Sequence, residues 1–358
     1  MDKLLTVVTS TYNKGDRNRA SIQSILDQTF TDFDYIVVND SSPDNTKEIL
    51  EEFNDPRLKI IHQENKGFVK TMISVMNQIK TPYAALQGAG DISLPERFSE
   101  QIRYLESRPE VAVVSCSTYE TSTLKSNYLQ KVRERAKKIR YKSRIDIEYN
   151  TVEQMIENNI VDHGDVMIRM PAYQDAGGYR PFFRYCQDRD LWLRILEKHS
   201  IVRLRQELYV KVVDPRFDIA GNPGKAERQS LYSLFSRHLA RERKLTGIDP
   251  LECKGESAFA DYIENLDDSS KLEISTKAFR NTLRSRLEKE DIDTAHEIIY
   301  KYMSNHPLNI LVSTLRFMKE NIPFGAEIFR GYYYQIQKRT VKLKSKFSRL
   351  NRRLFQSN

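Results

Sequence analysis

Residues 83–98 read Tyr-Ala-Ala-Leu-Gln-Gly-Ala-Gly-Asp-Ile-Ser-Leu-Pro-Glu-Arg-Phe. The apolar run from Tyr83 to Leu86 predicts a buried strand. Ser93, with Glu96 three residues on and Pro95 between them, predicts the capped start of a helix. A strand that ends where a helix begins leaves the joining loop at the carboxyl edge of an open parallel sheet, where ligands bind. Two glycines, Gly88 and Gly90, let the backbone of this loop approach a ligand closely. Asp91 is its only carboxylate.

Upstream, the first third of the chain alternates in the same manner. Apolar runs predict strands at 4–9, 35–38 and 58–61, and amphipathic segments predict helices at 17–28, 43–53 and 68–79. Ile22, Ile25 and Leu26, for example, share one face of the first helix. The alternation implies right-handed crossovers and an α/β fold, a mainly parallel sheet with helices on both faces. The loops Thr9-Ser10-Thr11-Tyr12-Asn13 and Asn39-Asp40-Ser41-Ser42-Pro43-Asp44 are then expected on the same edge as Asp91. Their groups suit a nucleotide: Tyr12 offers a flat face to a base, Ser10 a hydroxyl, and Asp40 a carboxylate that can accept from a base N–H or ribose hydroxyls. Helix capping competes for the polar residues of the second loop. Ser41 and Asp44 are assigned to capping, and Asp40, at the strand tip, to binding. Neither GxGxxG nor GxxxxGK[ST] occurs, so nothing points to a dehydrogenase or a kinase.

Composition sets the outer limits. A chain of 358 residues has room for two domains, or one large domain with an extension. No apolar run approaches the roughly 18 residues of a membrane span, and the N-terminus starts on a strand without a signal-peptide layout. Cys116, Cys186 and Cys253 are few, odd in number and far apart. They suggest inert thiols in a reducing, cytoplasmic setting and neither a disulfide framework nor a zinc site. The basicity is local. Residues 335–358 and residues 124–144 each carry a net +8, which is the charge of the entire chain, so everything else is net −8. An acidic body disfavours a nucleic-acid binder, which would need a basic face on the folded domain.

At the level of motifs the chain resembles the family 2 glycosyltransferases with the GT-A fold. Thr-Val-Val-Thr-Ser-Thr-Tyr-Asn from Thr6, Ser-Ile-Leu-Asp-Gln-Thr-Phe-Thr-Asp-Phe-Asp from Ser24 and Val-Val-Asn-Asp-Ser-Ser-Pro-Asp-Asn-Thr from Val37 are similar to that family's opening. Gly90-Asp91-Ile92-Ser93-Leu94-Pro95-Glu96-Arg97-Phe98 continues the match in order. Val161 to Met167, Gly177-Gly178-Tyr179 and Gln187-Asp188-Arg189-Asp190-Leu191-Trp192-Leu193-Arg194 extend it, the last being similar to the signature Glu-Asp-x-Asp-Leu-Trp-Leu-Arg. Together these cover about the first 215 residues. They speak for fold and reaction class and say little about which sugar is moved.

The resemblance implies transfer of a glycosyl unit from a nucleotide-diphosphate sugar, with a UDP-sugar the expected donor, to an acceptor hydroxyl with inversion at the anomeric carbon. One displacement needs one general base on the acceptor side, and by position in the signature that base is Asp188. It falls in the first turn of an amphipathic helix whose Leu191, Trp192, Ile195 and Leu196 face inward, where the helix dipole favours a carboxylate. The family usually presents Asp-x-Asp at the end of the fourth strand to hold a divalent cation against the diphosphate. Here the corresponding positions are Gly88, Ala89 and Gly90, leaving Asp91 as the implied ligand for Mn²⁺ or Mg²⁺, which one carboxylate plus phosphates and waters can hold. His163 or Asp165 is a second candidate ligand. Lys70 is a candidate point charge for the phosphates, or a solvated helix lysine. Metal-independent transfer, or a catalytically silent subunit that only binds the sugar nucleotide, follows as the alternative.

The expected division is residues 1–220 as the GT-A domain, with a nucleotide-sugar half (1–110) and an acceptor half (111–220), then a helical extension (221–334) and a basic tail helix (335–358). The cationic stretch 124–144 reads either as a flap over the cleft, able to meet an anionic or lipid-linked saccharide, or as a solvated surface helix. In the tail, Ile336, Leu343, Phe347, Leu350 and Leu354 form one apolar stripe among eight cations. That pattern suits peripheral adsorption to an anionic membrane, or packing on neighbouring helices or on a second copy of the chain.

Overall fold

In the computed structural model, residues 3–121, 146–159, 161–212 and 223–267 are described, with 270, 271 and 274. The predicted segment 124–144, the helices expected beyond residue 274 and the tail lie outside them. The first third runs β1 (Leu5–Thr11), α1 (Arg17–Leu26), β2 (Phe33–Asn39), α2 (Thr46–Glu51), β3 (Leu58–His62), α3 (Phe68–Met76) and β4 (Tyr83–Leu86). The alternation is the one the apolar periods dictate. There follow β5 (Ile92–Ser93), α4 (Arg97–Ser107), β6 (Val111–Thr121), β7 (Ile147–Tyr149), α5 (Val152–Glu157), a 3-10 turn (His163–Asp165), β8 (Met167–Arg169), α6 (Met170–Asp175), α7 (Gln187–Ile195) and β9 (Ser200–Val212). Beyond these lie α8 (Pro223–Thr246), α9 (Pro250–Lys254) and α10 (Ser257–Glu264).

Among the described residues the strands form one sheet in the order β3-β2-β1-β4-β8-β6-β9-β5, with β7 also on β9. Strands β1 to β4 pair in parallel. The second half adds what local alternation does not show: β8 runs antiparallel to both β4 and β6, β6 pairs in parallel with β9, and β5 and β7 pair antiparallel with β9.

Strand alternation explains the two-sided core. Val7, Phe33, Tyr35 and Val37 point to the face where α1 brings Ile22 and Ile25 and α4 brings Phe98, Ile102 and Leu105. Val8, Val38 and Leu86 point to the other, against Met72, Val75 and Met76 of α3 and Leu191 and Trp192 of α7. Each buried aliphatic or aromatic side chain contributes roughly 1.5–3 kcal/mol. Helices of six residues such as α2 and α5 are too short to persist on propensity, so packing holds them.

The sequence and the structure part company at the predicted helix start. Ser93 caps nothing: it lies in β5, pairs with Tyr209 on β9, and donates its hydroxyl to Gln87 Oε1 at 2.7 Å. Helix α4 begins at Arg97 instead. A partner more than a hundred residues away outcompetes the local capping pattern.

By contacts the chain divides into two compact units, Met1–Val213 with Tyr232–Asn265, and Asp214–Leu231 with Leu266–Asn358. Within the first, Phe235 and Leu239 of α8, Leu251 of α9 and Ala258 of α10 bury Phe183, which precedes α7 in the chain.

Candidate active site

The tips of β1 and β2 lie side by side because their register pairs Thr11 with Asn39. Bonds between the two loops then fix them: Asp40 N–H donates to Thr11 C=O at 3.0 Å, Asn13 N–H to Ser42 Oγ at 3.0 Å and Gly15 N–H to Thr46 Oγ1 at 3.0 Å. Tyr12 is half exposed and Ser10 partly so. Asp40 is buried beneath them. Its carboxylate accepts from the N–H groups of Lys66 and Gly67, both at 2.9 Å, and from Gln63 Nε2 at 2.7 Å, which sets the loop that enters α3. On α3, Lys70 is exposed. The same register logic brings Asp91 to this edge, since β4 pairs with β1 through Val8 and Leu86.

Gly88–Asp91 is a tight turn, closed by Asp91 N–H donating to Gly88 C=O at 3.0 Å, with Gly90 at φ +87°, where a side chain would be strained. Its supports come from distant strands and helices. Tyr209 on β9 donates its hydroxyl to Asp91 Oδ2 at 2.9 Å and accepts from Gly88 N–H at 2.9 Å; Val212 N–H donates to Asp91 Oδ1 at 2.8 Å. The Tyr209 hydroxyl sits between two glycines. A Cβ at Gly88 would lie 2.8 Å from it, and one at Gly164 2.7 Å from it. Arg97, fully buried, donates to Leu86 C=O at 2.7 Å, Ser93 Oγ at 2.8 Å and Gln87 Oε1 at 3.1 Å, fixing the end of β4. Burial pushes the Asp91 pKa up, against the Val212 N–H, the Tyr209 hydroxyl and the charges of Lys211 and Lys14, which favour its ionised form.

The acceptor side comes from α7 and the 3-10 turn. Asp188, in the first turn of α7 and partly exposed, accepts from Arg189 N–H at 2.8 Å and lies close enough to His163 to act on its charge. Burial lowers the His163 pKa and the Asp188 carboxylate pulls it back up; the net direction is down, so the imidazole is neutral near pH 7. One ring nitrogen, Nε2, bonds the Tyr179 hydroxyl at 2.7 Å. The ring stands edge-on to Phe68 at the start of α3, 5.4 Å between centroids. Asp188 is thus linked through His163 and Phe68 to the loop that Asp40 fixes, and through neighbouring Gly164 to the Gly88 turn. Asp190, two residues on, is buried and ion-paired with Arg180 and, at 2.8 Å, with Arg194. Asp165 is fully buried as well, with Thr118 Oγ1 donating to it at 3.0 Å.

The turn departs from the usual arrangement for holding a cation. Both Asp91 oxygens are bonded within the protein, and positions 88 and 90 present no carboxylate. A side chain at 88 would overlap Asp91 Oδ2, while one at 90 would start 3.3 Å from Arg17 Nε. Among the described residues no group of three or more His, Cys, Asp or Glu stands together as metal ligands do. Sequence reading missed Tyr209, Arg97 and Arg17. Arg97 lies inside the Pro-Glu-Arg-Phe segment of the motif match, the one available signal; the other two are neighbours of the turn only in space.

A groove lined by Arg19, Gln23, Glu52, Phe53 and Arg57 contains none of the predicted site residues. Cys116, Cys186 and Cys253 are in no disulfide, and no described helix is long and apolar enough to cross a membrane.

The chain is similar in sequence to named glycosyltransferases. An uncharacterized glycosyltransferase of Methanocaldococcus jannaschii is 27% identical over 243 residues, covering 66% of this chain and 79% of its own. The amylovoran biosynthesis glycosyltransferase AmsE of Erwinia amylovora is 26% identical over 215 residues, 58% of this chain and 76% of its own. Among solved structures, a mannosyltransferase from Pyrobaculum calidifontis in complex with GDP-Man and Mn²⁺ superposes with a TM-score of 0.52 at 14% identity, covering 94% of this chain and 85% of that one. Residues 1–349 of TarS from S. aureus, in complex with UDP-GlcNAc, give 0.50 at 14% identity over 84% of this chain and 92% of that one. At those identities the likeness is one of fold, GT-A. The model of glycosyl transferase family 2 matches residues 6–176 of the chain.

Proposed function

We propose that this chain transfers a glycosyl unit, with inversion, from a nucleoside-diphosphate sugar to an acceptor hydroxyl, and that Asp188 is the general base. The observation that carries it is the meeting of two rims: Asp188 stands beside His163, whose neighbour Gly164 packs on the Gly88 turn at the donor end of β4. In the step itself the acceptor oxygen attacks the anomeric carbon, the bond from that carbon to the diphosphate oxygen breaks, and the acceptor proton passes to Asp188. Tyr12 stacks the base, Ser10 bonds the ribose or phosphate, and Asp40 both sets the loop beneath and accepts from the base with its remaining lone pairs. The likeness to a glycosyltransferase of amylovoran biosynthesis supports an acceptor that is a growing surface polysaccharide or glycoconjugate, with a UDP-sugar or GDP-sugar as donor.

Asp188→Asn tests the assignment. Nucleoside diphosphate release in the presence of acceptor is expected to fall by about 10²–10⁴-fold, the scale of a lost general base, with donor KM nearly unchanged. Turnover by the variant within a few-fold of wild type would remove Asp188 from the chemistry.

A further inference from the structure

The turn that should hold a cation is instead built around a cation of the protein's own. Arg17 leads α1, and its side chain lies against Gly90: a Cβ added there would sit 3.3 Å from Arg17 Cβ, 3.3 Å from Nε and 3.7 Å from Cζ. The guanidinium therefore occupies the space into which an aspartate at position 90 would project. It is fastened to the same strand end as the turn, since Arg17 Nη2 donates to Val212 C=O while Val212 N–H donates to Asp91 Oδ1. Lys14, in the loop before α1, and Lys211, on β9, both lie close enough to Asp91 to stabilise its charge. Lys211 is also shared with Glu120 at 3.5 Å and Asp162 at 3.6 Å; of the three cations, Arg17 is the one that packs on Gly90 of the turn.

Steric closure points the same way. Position 88 has no room for a side chain, because Asp91 and the Tyr209 hydroxyl fill it, and the hydroxyl in turn needs glycine at 164. The four residues from Gly88 to Asp91 are thus committed to β9 and α1, and the carboxylates of a metal-holding turn have no place in this arrangement.

Given the reading of the chain as a transferase that uses a nucleoside-diphosphate sugar, we propose that Arg17, with Lys14 and Lys211 beside it, supplies the positive charge that meets the donor's diphosphate in place of a divalent cation held by the turn. As the bond between the anomeric carbon and the β-phosphate oxygen breaks, the electron pair stays on that oxygen. A planar guanidinium can take two phosphate oxygens at once and cannot lose its proton at any working pH.

The test is calorimetric titration of the purified full-length chain with UDP and with GDP, in EDTA and again in excess Mn²⁺. The nucleotide that binds is expected to bind within about twofold equally in the two conditions. Arg17→Gln is expected to weaken it by about tenfold or more in both, the scale of a lost charge-assisted hydrogen bond. Binding of the matching nucleoside, which has no phosphate, stays at the wild-type level in that variant and shows that its fold and base pocket are intact; Arg17→Lys recovers part of the loss. Tenfold or greater strengthening of the wild type by Mn²⁺, or unchanged nucleotide binding in Arg17→Gln, overturns the inference. Binding of neither UDP nor GDP under either condition instead overturns the donor reading, and this inference with it.

Discussion

Asp165 shows what a single carboxylate can conceal. In sequence it stands three residues past Asp162, before a strand, and reads equally as a ligand or as a structural acid. In the structure it is fully buried, with Thr118 and the Cys116 thiol against one oxygen and, among the described residues, no hydrogen-bond partner at the other. Burial first, then the charge of Asp162, pushes its pKa up to about 7. The unfolded chain titrates the same group near 3.9. Between those values the native state holds more protons than the unfolded one, so this residue makes stability fall as pH rises from about 4 to about 7 and leaves it lowest above that. Asp165→Asn, which keeps the shape and removes the titration, is expected to raise the melting temperature at pH 8 and to change it little at pH 4. An equal effect at both pH values in thermal melts would mean that the carboxylate is not titrating in this window.

Helix α7 divides its acids by depth. Asp188 is partly exposed, whereas Asp190 is locked between Arg180 and Arg194, and Arg180 reaches on to Asp249 at 2.7 Å, which Arg243 of α8 also holds at 2.8 Å. This chain of buried ions ties the signature helix to α8 and to the start of α9. Removing one member strands the others in low dielectric, so Asp190→Ala is expected to cost about 3–5 kcal/mol of stability, read in urea unfolding; a cost below about 1 kcal/mol would mean that the arginines find water. The inward set Leu191, Trp192, Ile195 and Leu196 was legible from its spacing, as were β1 to β4 and the helices between them, because period carries depth on a local element. Position along the carboxyl edge was legible too, and it brought Ser10, Tyr12, Asp40 and Asp91 to one rim. What periodicity cannot carry is pairing at long range. Ser93 therefore looked like a cap when it is a strand residue paired with β9, and the hold of Tyr209 and Val212 on both oxygens of Asp91 could not be read from the sequence.

At the scale of the whole chain, charge is the organising quantity. Outside residues 124–144 and 335–358 the chain is net acidic, and the cations that balance it are gathered in those two segments of sequence. A glycosyltransferase acting on a lipid-linked or otherwise membrane-borne acceptor gains from being held at the surface where that acceptor lies. Near an anionic bilayer each cation is worth about 1 kcal/mol, screened by salt, and we propose that the eight cations of 335–358, with the apolar spacing read there, draw the chain to such a surface. Full-length protein is therefore expected to sediment with vesicles containing phosphatidylglycerol and to leave them as salt is raised, while a chain ending at residue 334 binds at least about a hundredfold more weakly. Neutral vesicles should retain neither form. If the stripe serves a second copy of the chain instead, deletion of 335–358 will halve the mass in sedimentation equilibrium and leave vesicle binding as it was. That outcome would move the acceptor's recognition away from the tail and onto the domain itself.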